Sequence, residues 1–415
     1  MVLRRFDDSM KKVLVRFGAA LLLCAALNAH AQTTISVSSA AQLQSAVQTA
    51  NSAGGNRIIS IADGTYTLSD TLYVNAPNVS IVGASGNRQS VIIQGTGMSS
   101  TASVGTIIRV AASGFKLRYV TVQKSKYHLV QIVGEQNADA PELRDCILRD
   151  AYEQMVKVSI DQSNLSVGSD NGLVENCLFE YTAGIGPQYY IGGIDAHGTK
   201  NWVVRGNTFR NIASPSNSVA EFAVHLWDGS ANNTVERNVI IDCDRGIGFG
   251  LQTFPNSGGV IRNNMIYHAA NNHAFADSAI ALSESPNSKV YNNSVYYANS
   301  YPWAIEYRFG STSGVEVSNN LVNKQIIARD GASGTASNNV TNAVSSWFVA
   351  PTSGNLHLAS AVASAVDKGK TISGLADDFD GEARPAGAGI DVGADEYGGA
   401  AAPPKPQPPT NVRAE

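Results

Sequence analysis

Charge is scarce in this chain. Only 15% of its 415 residues are charged, and Asp and Glu outnumber Lys and Arg by 34 to 30. A nucleic-acid partner needs a positive stripe to meet the phosphate backbone, and no such excess exists here. Cysteine is nearly absent: of four, Cys24 lies in an apolar leader, leaving Cys146, Cys177 and Cys243. Three thiols do not make a disulfide-stapled scaffold. No apolar run approaches the roughly 18 residues that cross a membrane, so no stable membrane insertion is expected. Beyond residue 56 no long stretch keeps the 3.6-residue period of a helix.

What the chain has is a repeat. Leu-Arg-Asp-Cys146-Ile, Val-Glu-Asn-Cys177-Leu, Val-Arg-Gly-Asn207-Thr, Val-Glu-Arg-Asn238-Val, Ile-Arg-Asn-Asn264-Met, Val-Tyr-Asn-Asn293-Ser and Val-Ser-Asn-Asn320-Leu follow one another at intervals of 31, 30, 31, 26, 29 and 27 residues. Such a period marks a solenoid of stacked short strands. Residues one period apart become neighbours across one strand spacing, about 4.8 Å. Stacked Asn side chains bond along their own row, so the Asn residues read as structural. Cys146 and Cys177 share that position on adjacent coils and read as stacked interior thiols in preference to a disulfide. The expected fold class is all-β: a single-domain, right-handed parallel β-helix.

The ends differ from the coil. Lys11, Lys12 and Arg16 precede the apolar run 19–27, and Ala29-His30-Ala31 is a small-x-small cleavage site. Residues 1–31 thus read as an export signal, giving a secreted or periplasmic chain that starts at Gln32. That chain carries 25 Lys and Arg against 32 Asp and Glu, a net charge of −7. Residues 32–56 hold the pattern Ala41, Leu43, Ala46, Val47, Ala50 and stop at Gly54-Gly55. They read as a short capping helix over the open end of the coil. Alternating strands fill 57–345, and 346–397 is a closing segment. Its run from Asp378-Phe379-Asp380-Gly381 to Glu396-Tyr397 resembles the ending of many secreted bacterial β-helix proteins. The Pro-rich tail 398–415 reads as a disordered linker, and the protein as a monomer.

A second strand precedes most ladder steps. Period 2 sorts its residues into faces. With Val156, Ile194, Val224, Ile247, Ile280 and Ile305 inward, alongside Val158, Ala196, Leu226, Phe249, Leu282 and Tyr307, two outward columns remain. One reads Lys157, Asp195, His225, Gly248, Ala281, Glu306; its neighbour reads Ser159, His197, Trp227, Gly250, Ser283, Arg308. An ionisable knot beside a Gly/Ala shelf suits a groove for an extended chain molecule. Trp227 would stack on a sugar ring, Glu306 and Arg308 would serve further subsites, and Arg245 would hold a substrate carboxylate. Glu153, Glu221, Asp244 and Asp277 precede the strands at matching offsets, either as solvated turn carboxylates or as a row for calcium. The simpler reading of Lys157 beside Asp195 is an exposed ion pair contributing about 0 to 1 kcal/mol.

The run Met155-Val156-Lys157-Val158-Ser159, then Val174 to Phe179, then Ala196-His197-Gly198 to Phe209, resembles the catalytic coils of alginate lyase and chondroitinase B type polysaccharide lyases. In that family a lysine in a Val/Ile-Lys-Ser-Ser context is the base, and an Arg-His-Gly step follows a coil later. Here Val158 stands for the first Ser and Ala196 for the arginine, and the longer Lys157-to-His197 spacing implies an inserted loop at 161–170 or 184–190. Family calcium ligands precede the lysine, where this chain has Asp150 and Glu153 at a different spacing. The resemblance implies β-elimination in an anionic, uronic-acid-containing polysaccharide, alginate- or glycosaminoglycan-like. Lys157 would be the C5 base, with His197 or His225 as acid or second base. Asp195 would orient His225, with Tyr189 and Tyr190 as alternative proton donors and Arg245 or His197 replacing the arginine. Three alternatives stay open. A C5-epimerase shares the first half of the chemistry. A glycoside hydrolase needs paired carboxylates about 5 to 9 Å apart, from Asp195 with Glu221 or Asp244. A non-catalytic carbohydrate-binding β-helix needs neither.

Overall fold

The computed structural model describes residues 32–270 and 276–399. The expected export signal and nearly all of the tail lie outside the described residues. Three long sheets, of 12, 10 and 10 strands, form a parallel β-helix, with one strand of each coil in each sheet. One coil runs from Glu142–Arg144 through Ile147–Ala151 to Gln154–Ser159. Fully buried Leu143, Val174, Val204, Val235, Ile261, Val290 and Val317 stack in register along the axis. Burying one such side chain contributes roughly 1.5–3 kcal/mol.

Between the first two strands of a coil the chain turns a sharp corner. The residue before each ladder position takes the left-handed conformation, with φ from +49° to +64° at Asp145, Asn176, Gly206, Arg237, Asn263, Asn292 and Asn319. Gly and Asn tolerate that geometry best, which accounts for their density here. The next residue turns inward. Asn207, Asn238, Asn264, Asn293 and Asn320 each donate Nδ2 to the following Asn Oδ1 at 2.9–3.0 Å, and that oxygen also accepts the donor residue's own backbone N–H. Cys146 and Cys177 are free, buried thiols that bond to backbone carbonyls.

The helix Ala40–Ser52, capped by the Ser39 side chain, buries Leu43, Ala46, Val47 and Ala50. Two expectations need correction. Ala41 is exposed, and Ala40 packs against the core in its place. Thr33–Val37, read as part of the cap, is a strand pairing with Arg57–Ile61. Its Thr-Thr-Ile-Ser-Val alternation lets Ile35 and Val37 extend the core while the backbone is satisfied by the sheet.

The closing segment folds back along the flank of the coil. It carries a small core of its own, joining Phe348, Leu356, Val392 and Ala394 to Met265 and Leu321. Arg237 Nε, Asn263 Nδ2, Asn292 Nδ2, Asn319 Nδ2 and Asn338 Nδ2 donate to backbone carbonyls of residues 368–391 at 2.8–3.2 Å.

Candidate active site

Register brings the outward column together. Lys157 lies beside Asp195 and Asp195 beside His225, and the row continues through Gly248 and Ala281 to Glu306. Lys157 Nζ donates to Asp195 Oδ2 at 2.5 Å and lies 2.7 Å from His197 Nε2. An ammonium can only donate, so His197 Nε2 accepts and the ring proton sits on Nδ1. From there it is donated to Asp228 Oδ2 at 2.9 Å. Burial holds the His197 pKa below its ordinary 6.5, and Lys157 adds to this against the opposing pull of Asp195 and Asp228. The imidazole is therefore neutral near pH 7, with a defined tautomer. Asp195 is 2% exposed. Burial works to raise its carboxyl, but Lys157, His197 and His225 outweigh that and keep it below the usual carboxylate range. Its Oδ1 accepts from Trp227 Nε1 at 2.7 Å.

Sequence reasoning missed Asp228. It directly follows the strand Val224–Trp227, takes φ +52°, and is buried. An Asp-Gly pair at the end of a strand carrying two column residues was the available signal. Gln162, on the loop inserted after Ser159, donates to the same Asp228 Oδ2 at 3.1 Å. His128 was missed as well. Its Nδ1 donates to the Gln154 carbonyl at 3.1 Å. Burial pushes its pKa down to about 4, the Gln154 carbonyl opposing and Lys157 assisting.

No family profile and no curated protein matches this sequence. Among solved structures, an alginate lyase from Paenibacillus sp. str. FPU-7 superposes with a TM-score of 0.54 at 16% identity, over 73% of this chain and 99% of that one. The chain shares that protein's fold. A pectate lyase, Pel9A, gives a TM-score of 0.48 at 15% identity, over 84% and 90% of the two chains.

Several residues of this β-helix do other work than expected. His225 is wholly buried, stacked on Trp227 at 4.9 Å and packed against Phe222 at 4.8 Å. Its Nε2 donates to the Gly250 carbonyl at 3.1 Å, and Nδ1 lies 3.2 Å from Glu221. It cannot touch a substrate, and Asp195 turns to Lys157 and Trp227 without orienting it. Trp227, with one face on His225 and Phe254 edge-on at 5.3 Å, braces the site and is no free sugar platform. Arg245 lies over Phe222 with its Nε 3.3 Å from Asp277, which takes it away from the role of carboxylate clamp. Glu306 is 3% exposed and engaged by Arg329 at 2.6 Å and Tyr301 at 3.1 Å. Arg308 pairs with Asp330 at 2.8 Å.

The carboxylates considered for calcium do not converge. Asp244 Oδ2 accepts from the backbone of Ser214 and Ala220, Glu221 faces His225, and Glu153 lies 4.0 Å from His128. Tyr189 and Tyr190 do stand exposed on the second loop. Burial raises the Tyr190 pKa, although Lys157 works against it, so the phenol keeps its proton at neutral pH.

Proposed function

We propose that this protein is an exported polysaccharide lyase that cleaves a uronic-acid-containing polymer by β-elimination. The observation that carries this reading is the continuous contact from Lys157 through His197 to Asp228 on the outward face of one sheet. With substrate bound, Lys157 passes a proton to His197 Nε2, the substrate carboxylate and Asp228 on Nδ1 together stabilising the imidazolium that burial disfavours in the free protein. The freed amine takes the C5 proton. The imidazolium places positive charge beside the substrate carboxylate as the enolate forms, where stabilisation counts most. Tyr190 protonates O4 as the C4–O4 bond breaks and the C4–C5 double bond forms. Asp195 is a positioning residue that anchors Lys157.

Hydrolysis fits less well. The two carboxylates at the centre, Asp195 and Asp228, are each 2% exposed and already bound to Lys157, Trp227, His197 and Gln162. Neither is free to protonate a glycosidic oxygen or activate water.

Incubation with a panel of uronate polysaccharides, with and without chelator, should give rising ultraviolet absorbance from unsaturated uronate ends. Reducing ends without that absorbance would mean hydrolysis, inverted C5 stereochemistry without chain cleavage an epimerase, and binding without product a lectin-like role; each overturns the proposal. The pH profile carries a sign. The relay needs neutral His197, whose pKa lies below 6.5. Activity should therefore persist below pH 6.5 and fall only as pH drops through the lowered value.

Asp228 raises the His197 pKa, so Asp228→Asn should move this acid limb to still lower pH. The same change removes the support of the imidazolium and should lower kcat roughly a hundredfold. A profile whose acid limb stays in place would remove Asp228 from the relay.

A further inference from the structure

Free charge on this outward face is divided along the coil axis. From Asp195 toward the C-terminus, the shelf residues Gly248 and Ala281 lead to a region where three arginines each lie beside a carboxylate and Lys324 is taken up by the Asn299 and Tyr301 carbonyls. Arg245 lies by Asp277, Arg308 by Asp330 and Arg329 by Glu306. From Lys157 toward the N-terminus the same column continues through Gln131, Arg109 and Tyr73, each in register with the next. Arg109 is exposed, and among the described residues no carboxylate pairs with it. Its guanidinium lies 5.7 Å from the centroid of the Tyr73 ring, which is 39% exposed. A second cation–aromatic pair flanks the column at Lys126 and Tyr127, 5.0 Å apart. An exposed ring beside an unpaired planar cation matches a sugar face beside its carboxylate.

We propose that Tyr73 and Arg109, with Gln131 between Arg109 and Lys157, form a subsite for an anionic sugar, so that the bound chain runs from Lys157 toward the N-terminal cap. This rests on the reading of the Lys157 face as a site for a uronate polymer, and adds where the chain lies. Arg109 stands two strand steps from Lys157, about 10 Å. That distance is comparable with two linked pyranose rings. Arg109 thus takes the carboxylate of the sugar two units from the one at Lys157, and Tyr73 takes the ring beyond it. Among the described residues the C-terminal side offers no arginine without a carboxylate beside it, which gives the bound chain a direction.

The test uses the full chain with Arg109→Ala, Arg109→Lys and Tyr73→Ala, all at exposed positions, with melting temperature as the folding control. On long oligouronates Arg109→Ala should raise KM about tenfold, with Arg109→Lys between it and the parent. Disaccharides, too short to span both positions, should show less than a twofold change. Electrophoresis through gels containing polygalacturonate or alginate should retard the parent more than Arg109→Ala or Tyr73→Ala, whereas a neutral glucan should retard none. If the gels show this pattern but no unsaturated product ever forms, the lyase reading fails and the subsite stands. If product forms, but KM moves less than twofold at every chain length and retardation is unchanged, the subsite is overturned and the lyase reading stands.

Discussion

Lys157→Ala is expected to lose at least a thousandfold in lyase activity and to become about 3 kcal/mol less stable in urea unfolding. The first effect follows from loss of the base, since a positioned general base contributes roughly a hundredfold to ten-thousandfold and the His197 relay ends at Lys157. The second follows from burial. Asp195 is 2% exposed and loses a partner at 2.5 Å, and an uncompensated buried charge costs about 3–5 kcal/mol. Trp227 Nε1 still donates to Asp195 at 2.7 Å, which places the cost at the low end. The two effects separate in the double variant Lys157→Met/Asp195→Leu. With both charges replaced by apolar groups, most of the stability should return while activity stays lost. A Lys157→Ala protein that keeps its activity removes Lys157 from the mechanism; one that keeps its stability removes the claim that Asp195 depends on it.

Much of this site was legible because a fixed period converts sequence distance into neighbourhood. The ladder spacing placed Lys157, Asp195 and His225 on one row, and period 2 assigned Val156, Ile194 and Val224 to the core. Alternation ends where strands end, and there the reading failed. Asp228 and His128 sit just outside their strands, Val224–Trp227 and Val130–Val133, where no period says which way a side chain turns. His225 failed for a different reason. It does leave the barrel outward, but Trp227 and Phe222 close over it, and such covering by neighbours two or three residues away is invisible to strand periodicity. Glu306 and Arg245 likewise point to the groove side in sequence terms, yet Arg329 and Asp277 engage them.

Asn264→Ala is expected to destabilise the protein by about 3–5 kcal/mol without altering the groove chemistry. Asn264 is wholly buried. Its Oδ1 accepts both the backbone N–H and the Nδ2 of Asn238, while its own Nδ2 donates to Asn293 Oδ1 and to the Val235 and Arg262 carbonyls. Alanine orphans the Asn238 backbone N–H, which costs about 1–3 kcal/mol, and removes one hydrogen-bond partner each from Asn238 Nδ2, the Val235 carbonyl and Asn293 Oδ1, at about 0.5–1.5 kcal/mol apiece. Equilibrium unfolding gives the size of the loss, and faster hydrogen exchange at the Asn238 amide locates it. A loss below 1 kcal/mol would mean that the coil relaxes enough to close the gap, and that the ladder is not a chief source of rigidity.

The paired asparagines at 263/264, 292/293, 319/320 and 338/339 divide their labour: the second of each pair turns into the ladder, and the first turns outward to the returning C-terminal segment. A solenoid coil touches only its neighbours, so any coil can in principle open alone. The segment between 368 and 391 reaches five corners, from Arg237 to Asn338, and no coil among those five can open without releasing a strand of chain that the other four also hold. These bonds link the five C-terminal corners to one another through a single segment, whereas none of the five reaches the coils before Arg237, which carry Lys157 and Asp195.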